Sequence, residues 1–135
     1  MGTEILVNDG GAPARMIAFI AAEDITAGDA VSIDADGKAV KADTDLFSGE
    51  LMYMAGPALT DASSGDEVSV ITGKGIICNV NTDGTNAGKG LKISSTPGQL
   101  TESTYAADAF STVCAIALDD TAISGNLHRV LIIGG

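Results

Sequence analysis

Short apolar runs, separated by clusters of Gly, Asp, Asn and Ser, succeed one another along the whole chain. Several alternate with period two. In Val31-Ser32-Ile33, Val68-Ser69-Val70 and Leu91-Lys92-Ile93 the apolar residues share one face and the polar residue takes the other. The pattern predicts strands over Glu4–Val7, Arg15–Ala22, Ala30–Asp34, Ala39–Lys41, Leu51–Leu59, Glu67–Ile71, Gly75–Val80, Gly90–Ile93, Thr112–Leu118 and His128–Ile133. Asp36-Gly37 and Pro97-Gly98 mark hairpin tips, because Gly tolerates positive φ and Asp bonds its own local backbone. Helix is expected only over Glu102–Phe110, as one or two turns capped by Ser103 or Thr104. Strands this closely spaced predict a mainly β fold, a small β-barrel or β-sandwich with little helix, and not βαβ units.

An internal repeat refines this picture. Ala27-Gly28-Asp29-Ala30-Val31, Ser64-Gly65-Asp66-Glu67-Val68, Ala87-Gly88-Lys89-Gly90-Leu91 and Ser124-Gly125-Asn126 each place a small residue and a Gly before a strand. Gly28 and Gly88 stand 60 residues apart, as do Gly65 and Gly125. Ala58-Leu59-Thr60-Asp61 precedes one member of the second pair, and Ala117-Leu118-Asp119-Asp120 the other. Two pseudo-repeats, about 25–73 and 86–133, are expected to pack as one domain over 15–135, since a few strands alone bury too little surface. Residues 1–14 lie outside the repeat. Ile5-Leu6-Val7 is apolar and Asn8-Asp9-Gly10-Gly11-Ala12-Pro13 is a strand-breaking hinge, so this segment reads as an N-terminal arm. It either docks on a partner or adds an edge strand to its own domain.

Composition narrows the function classes. Hydrophobic residues make up 45% of the 135, enough for a core without metals or disulfides. Aromatics are only 4% and Trp is absent, so Val, Ile, Leu and Ala must fill that core. Eighteen acidic against seven basic residues give a net charge of −11, which repels nucleic acid and favours solubility. Cys78 and Cys114 lie in apolar runs and read as buried free thiols. The apolar stretch Met16–Ala22 is too short to span a bilayer and is read as a buried strand. Synthesis in the cytoplasm, without membrane association, is expected.

No motif carries chemistry. Asp34-x-Asp36-Gly37 resembles part of a calcium loop, but a strand follows where a helix with a closing Glu is needed. Gly84-Thr85-Asn86-Ala87-Gly88-Lys89-Gly90 is one residue short of a phosphate loop and also leads into a strand. His128 is the single histidine and has no ligand-spaced partners. The acidic pairs Glu23/Asp24, Asp43/Asp45 and Asp119/Asp120 lack the aromatic platforms of a glycosidase and read as loop charges. Met52 and Met54 flank Tyr53 where a carrier domain has its modified Lys. No catalytic, cofactor or metal residue is assigned, and the chain is expected not to be an enzyme.

The succession Ala-Gly-Asp-x-Val, then Asp-Gly-Lys-x-Val-x-x-Ala (Asp36 to Ala42), Gly-x-Ala-Leu (Gly56 to Leu59) and Ser-Gly-Asp-x-Val-x-Val resembles the small β-rich head-decoration, or capsid cement, proteins of tailed bacteriophages. The resemblance runs from about Arg15 to the C-terminus. It implies a structural virion protein on the capsid exterior, made in the host bacterial cytoplasm, with the major capsid protein as partner and a homo-oligomer, a trimer favoured. Ile5, Leu6, Val7 and Arg15 are then the candidate capsid-contact arm, and deleting Met1–Ala14 is expected to leave the domain folded while weakening shell binding. The alternative is a barrel-sandwich carrier or small-ligand module, with Lys38 or Lys74 as the attachment point. An enzyme using paired carboxylates is the third class weighed.

Overall fold

The computed structural model describes residues 4–8, 14–43, 53–84, 86–103, 113–120 and 126–133. Among them are eleven strands and no helix. The first half contributes β2 (Arg15–Ile20), β3 (Ala30–Ile33), β4 (Ala39–Lys41), β5 (Gly56–Pro57) and β6 (Glu67–Thr72). The second contributes β7 (Ile77–Asn81), β8 (Gly90–Ile93), β9 (Leu100–Glu102), β10 (Ala115–Ala117) and β11 (Leu127–Ile132). A short β1 (Leu6–Asn8) precedes both. The expected turns over Glu102–Phe110 fall almost wholly outside the described residues, apart from Glu102, which closes β9, and Ser103.

Pairing in the two halves follows one plan. β3 pairs antiparallel with β4 and β5, as β8 pairs with β9 and β10. Ala58 bridges to Val70 in β6 where Ala117 bridges to Val130 in β11. β6 then pairs with β2 as β11 pairs with β7. Turn bonds repeat as well: the Gly28 amide donates to the Ala58 carbonyl at 2.9 Å, and the Gly88 amide to that of Ala117 at 2.7 Å. Single parallel bridges, Ala21 to Ala39 and Thr82 to Leu100, bring the first strand of each half toward its hairpin. Neither half closes through a continuous ladder. The result is a sandwich-like stack of open antiparallel sheets, of six, two and three strands, and not a closed barrel.

Sheets approach closely because small residues line the contacts. Ala30, Ala39, Ala42, Ala58, Ala115 and Ala117 are all fully buried. The larger core gathers Ile5, Ile71, Ile76, Val80, Leu91, Leu100 and Val130, and the smaller gathers Ile25, Val31, Val68 and Val70. Ala30 faces the first and its neighbour Val31 the second, so β3 is buried on both faces. That placement overturns one reading of the alternation. Ser32 was expected to face solvent but is fully buried, with its hydroxyl unpartnered.

The halves are tied together at Asp29. Its carboxylate accepts from the Thr26 amide at 2.9 Å and from Asn81 Nδ2 at 3.0 Å. Around it the Asn81 amide donates to the Gly28 carbonyl, and the Ala30 amide to that of Gly98. Burial raises the carboxyl above its ordinary 3.8, and the bonds from Thr26 and Asn81 offset this only in part. Native Asp29 therefore holds its proton more tightly than the unfolded chain does. Stability should fall as pH rises from 3.8 through the native value, and ionised Asp29 remains a cost above it. Asp29→Asn removes that slope. Its new amide can donate to Asn81 Oδ1, a buried acceptor without a partner, once the Asn81 side chain turns over. In urea melts between about pH 4 and 7, the two chains are expected to agree at the acid end, with the variant the more stable toward neutrality. Asp29→Ala should instead lose about 1–2 kcal/mol, since the Thr26 and Asn81 donors lose their acceptor.

Candidate interaction surface

The residues singled out for chemistry serve the loops. Asp34 Oδ1 accepts from the amides of Asp36 and Lys38, both at 2.9 Å, closing the β3–β4 hairpin around Gly37 at φ +77°. Asp61 accepts from the Ala27 amide at 2.7 Å, and Asp120 accepts from the Ala87 amide at the matching place in the second half. Asp24 receives the Ser64 amide, Glu23 that of Lys41, Asp119 that of Arg129 and Glu102 that of Asn86. Part of the acidic excess is thus turn structure. The glycine-rich loop before β8 is such a turn, with Gly88 at φ +87°.

His128 is buried, with Nδ1 at Thr82 Oγ1 and 3.1 Å from the Asn126 carbonyl. Cys78 and Cys114 are buried free thiols, each pushed up to about 12 by burial. Among the described residues no three of His, Cys, Asp or Glu gather to hold a metal. Lys38 is exposed at its hairpin tip and Lys74 in the turn between β6 and β7. Met52 and Asp45 lie outside the described residues.

The four arm residues are not one exposed surface. Ile5 is 3% exposed and belongs to the larger core. The Asn79 amide donates to its carbonyl at 2.8 Å, and Asn79 Nδ2 donates to the Glu4 carbonyl at 2.6 Å. Leu6 lies opposite Cys78 and Asn8 opposite Ile77, with a bulge between, so β1 is an edge strand on β7. Leu6 is half-buried, whereas Val7 is exposed. Arg15 is also exposed, at the start of β2. Of the two readings of the N-terminal segment, an edge strand on its own domain is the one seen, with Ile5 in the core.

The sequence reading missed the surface that does stand out. Met16–Ala22 was expected to be a buried strand; Ala21 is buried, yet Met16, Ile17 and Ile20 are 47%, 43% and 42% exposed. β2 pairs with β6 along one side; on the other, among the described residues, it meets only the bridge from Ala21 to Ala39 at its end. Its counterpart in the second half is β7, because Ile17 faces Val70 as Cys78 faces Val130. Cys78 is fully buried, with β1 lying across the far edge of β7. Ile17 is thus exposed where its counterpart Cys78 belongs to the larger core. Arg15 stands at one end of this open edge. Asp66 and Glu67 lie across from the other end of β2, on its β6 side, on the rim of an open hollow of about 400 Å³ that Asp24 and Asp61 also line.

No family model matches the chain, and no curated protein matches it. Among solved structures it is similar to the N base of the head fiber protein gp8.5 of bacteriophage phi29. The TM-score is 0.61 at 16% sequence identity, over 89% of this chain and 94% of that one. At this identity the likeness is one of fold.

Proposed function

We propose that the chain is a structural component of a phage virion that binds the outside of the capsid and reinforces the shell. The observation that carries this reading is the fold likeness to a head fiber base along nearly the full length of both chains. Loop-bound carboxylates and a tightly tied pair of half-sheets suit a rigid staple, since a reinforcing protein contributes little if it deforms before the shell does. On this reading the major capsid protein is the partner, Val7 and Arg15 are the arm residues available for contact, and no catalytic step is involved. The virion exterior is the destination of a protein made in the host cytoplasm.

The test is co-sedimentation of the purified chain with immature, expanded and DNA-filled shells of its own phage. Saturable binding at a fixed ratio to the shell subunit, with a raised temperature of shell disruption, is the expected result. Absence from all three shell forms counts against the proposal.

A further inference from the structure

We infer that the buried hydrogen bond between Thr82 and His128 is a pairing label: it makes β11 select β7 and keeps the two pseudo-repeats from exchanging strands, within one chain or between copies. The halves are alike enough for that exchange to be open to them. β6 lies antiparallel on β2 as β11 lies on β7, with Val70 opposite Ile17 and Val130 opposite Cys78. At the end of each ladder the Ala21 amide donates to the Asp66 carbonyl at 2.8 Å, and the Thr82 amide to the Asn126 carbonyl at 2.9 Å. The bridges from Ala21 to Ala39 and from Thr82 to Leu100 fix the same correspondence. Thr82 therefore occupies the place of Ala21. His128, two residues past Asn126, occupies that of Val68, two residues past Asp66.

The chemistry at this place differs between the halves. Two matched positions are buried in both β6 and β11. One holds Val70 and Val130, which are interchangeable. The other holds Val68 and His128, which are not. In the first half Ala21 and Val68 both belong to the smaller apolar core. In the second, Thr82 Oγ1 bonds His128 Nδ1, and both residues are buried. Were β11 to settle on β2, the imidazole would lie against Ala21 among Ile25, Val31 and Val70, keeping only the Asn126 carbonyl of its own segment. Were β6 to settle on β7, Val68 would face Thr82, whose hydroxyl would keep only the Gly84 amide at 3.4 Å. A buried polar group deprived of its partner costs more than the bond contributes in the native pairing. The pair thus discriminates between strands while adding little stability. Like units in one chain need such a difference, because misassembly between them is their characteristic failure in folding.

Refolding of the full chain from urea in reducing buffer tests this, with the product read by light scattering after size exclusion at about 1 and 100 μM chain. The wild type is expected to return to its starting species at both concentrations. Thr82→Ala/His128→Val gives the second half the apolar pair of the first. It should keep the wild-type urea midpoint or exceed it, since apolar replacement of a buried polar pair is often neutral or stabilising. Its yield of the wild-type species should fall at least about twofold at the higher concentration, with larger species and an added slow refolding phase in its place. Adding Ala21→Thr/Val68→His to that variant moves the polar pair to the first half and should restore the yield, because the halves differ again. A double variant that refolds as faithfully as the wild type overturns the inference, as does a wild type that itself returns as a mixture. So does a double variant with a lowered midpoint, for the pair then acts through stability alone, and so does a transferred pair that recovers nothing.

Discussion

Gly56→Ala is expected to lose about 3–5 kcal/mol, the largest effect of any single methyl added to this chain. A Cβ at Gly56 would fall inside van der Waals contact with the Ile71 carbonyl oxygen and 2.9 Å from its carbon. Both are backbone atoms of β6 and cannot rotate away. The φ of +155° adds strain for any residue with a side chain. To admit the methyl, β5 must move off β6, and with it the Ala58–Val70 bridge that joins the two sheets of the first half. A domain of this size holds roughly 5–15 kcal/mol in all, so the variant should show a sharply lowered urea midpoint or fail to fold. The second half supplies the control. Ala115 pairs with Leu91 as Gly56 pairs with Val31, and there a Cβ is accommodated with no exposure. Ala115→Gly should therefore cost only about 1 kcal/mol, from chain entropy and a lost methyl. Equal losses in the two variants would mean that β5 yields easily and that the contact does not govern the site.

The contrast between these two positions shows where the sequence was readable. The 60-residue spacing of Gly28 with Gly88 appears in the strand pairing itself, because glycines needed for turns mark the same place in each half. Alternation such as Val68-Ser69-Val70 was equally plain, since Val68 and Val70 meet the smaller core while Ser69 between them stays half-buried. β9 was missed because Leu100-Thr101-Glu102 is too short to show a period. Ser32 and Met16–Ile20 were misread for opposite versions of one reason. Alternation reports how many faces of a strand are buried only when the strand's neighbours are known. β3 lies between two cores, and β2, among the described residues, has a full ladder on one side only. Nothing in the five apolar residues of β2 distinguishes a strand in the middle of a sheet from one at its edge.

The arm provides the second large effect, and it follows from Ile5 being core. Ile5→Ala is expected to destabilise the chain by about 2–4 kcal/mol, through lost transfer energy plus the cavity left beside the second-half sheet. At roughly 4 °C per kcal/mol for a domain of this length, that is a drop of about 10 °C in thermal midpoint. Removing residues 1–8 should cost more. It empties the same pocket, takes the acceptor from the Asn79 amide and strips the cover from β7. The truncated chain would then expose the edge of β7 that β1 covers in the full chain. Aggregation on heating should accompany the loss of stability. Val7→Ala is the informative comparison: Val7 is 38% exposed on the same strand, so its truncation should change the midpoint by only about 2 °C. If Ile5→Ala and the truncation both melt with the wild type, β1 is a loosely held arm after all, free to leave β7 for a shell. If they melt well below it, any loss of shell binding in a truncated chain must first be corrected for unfolding before it is assigned to a missing contact.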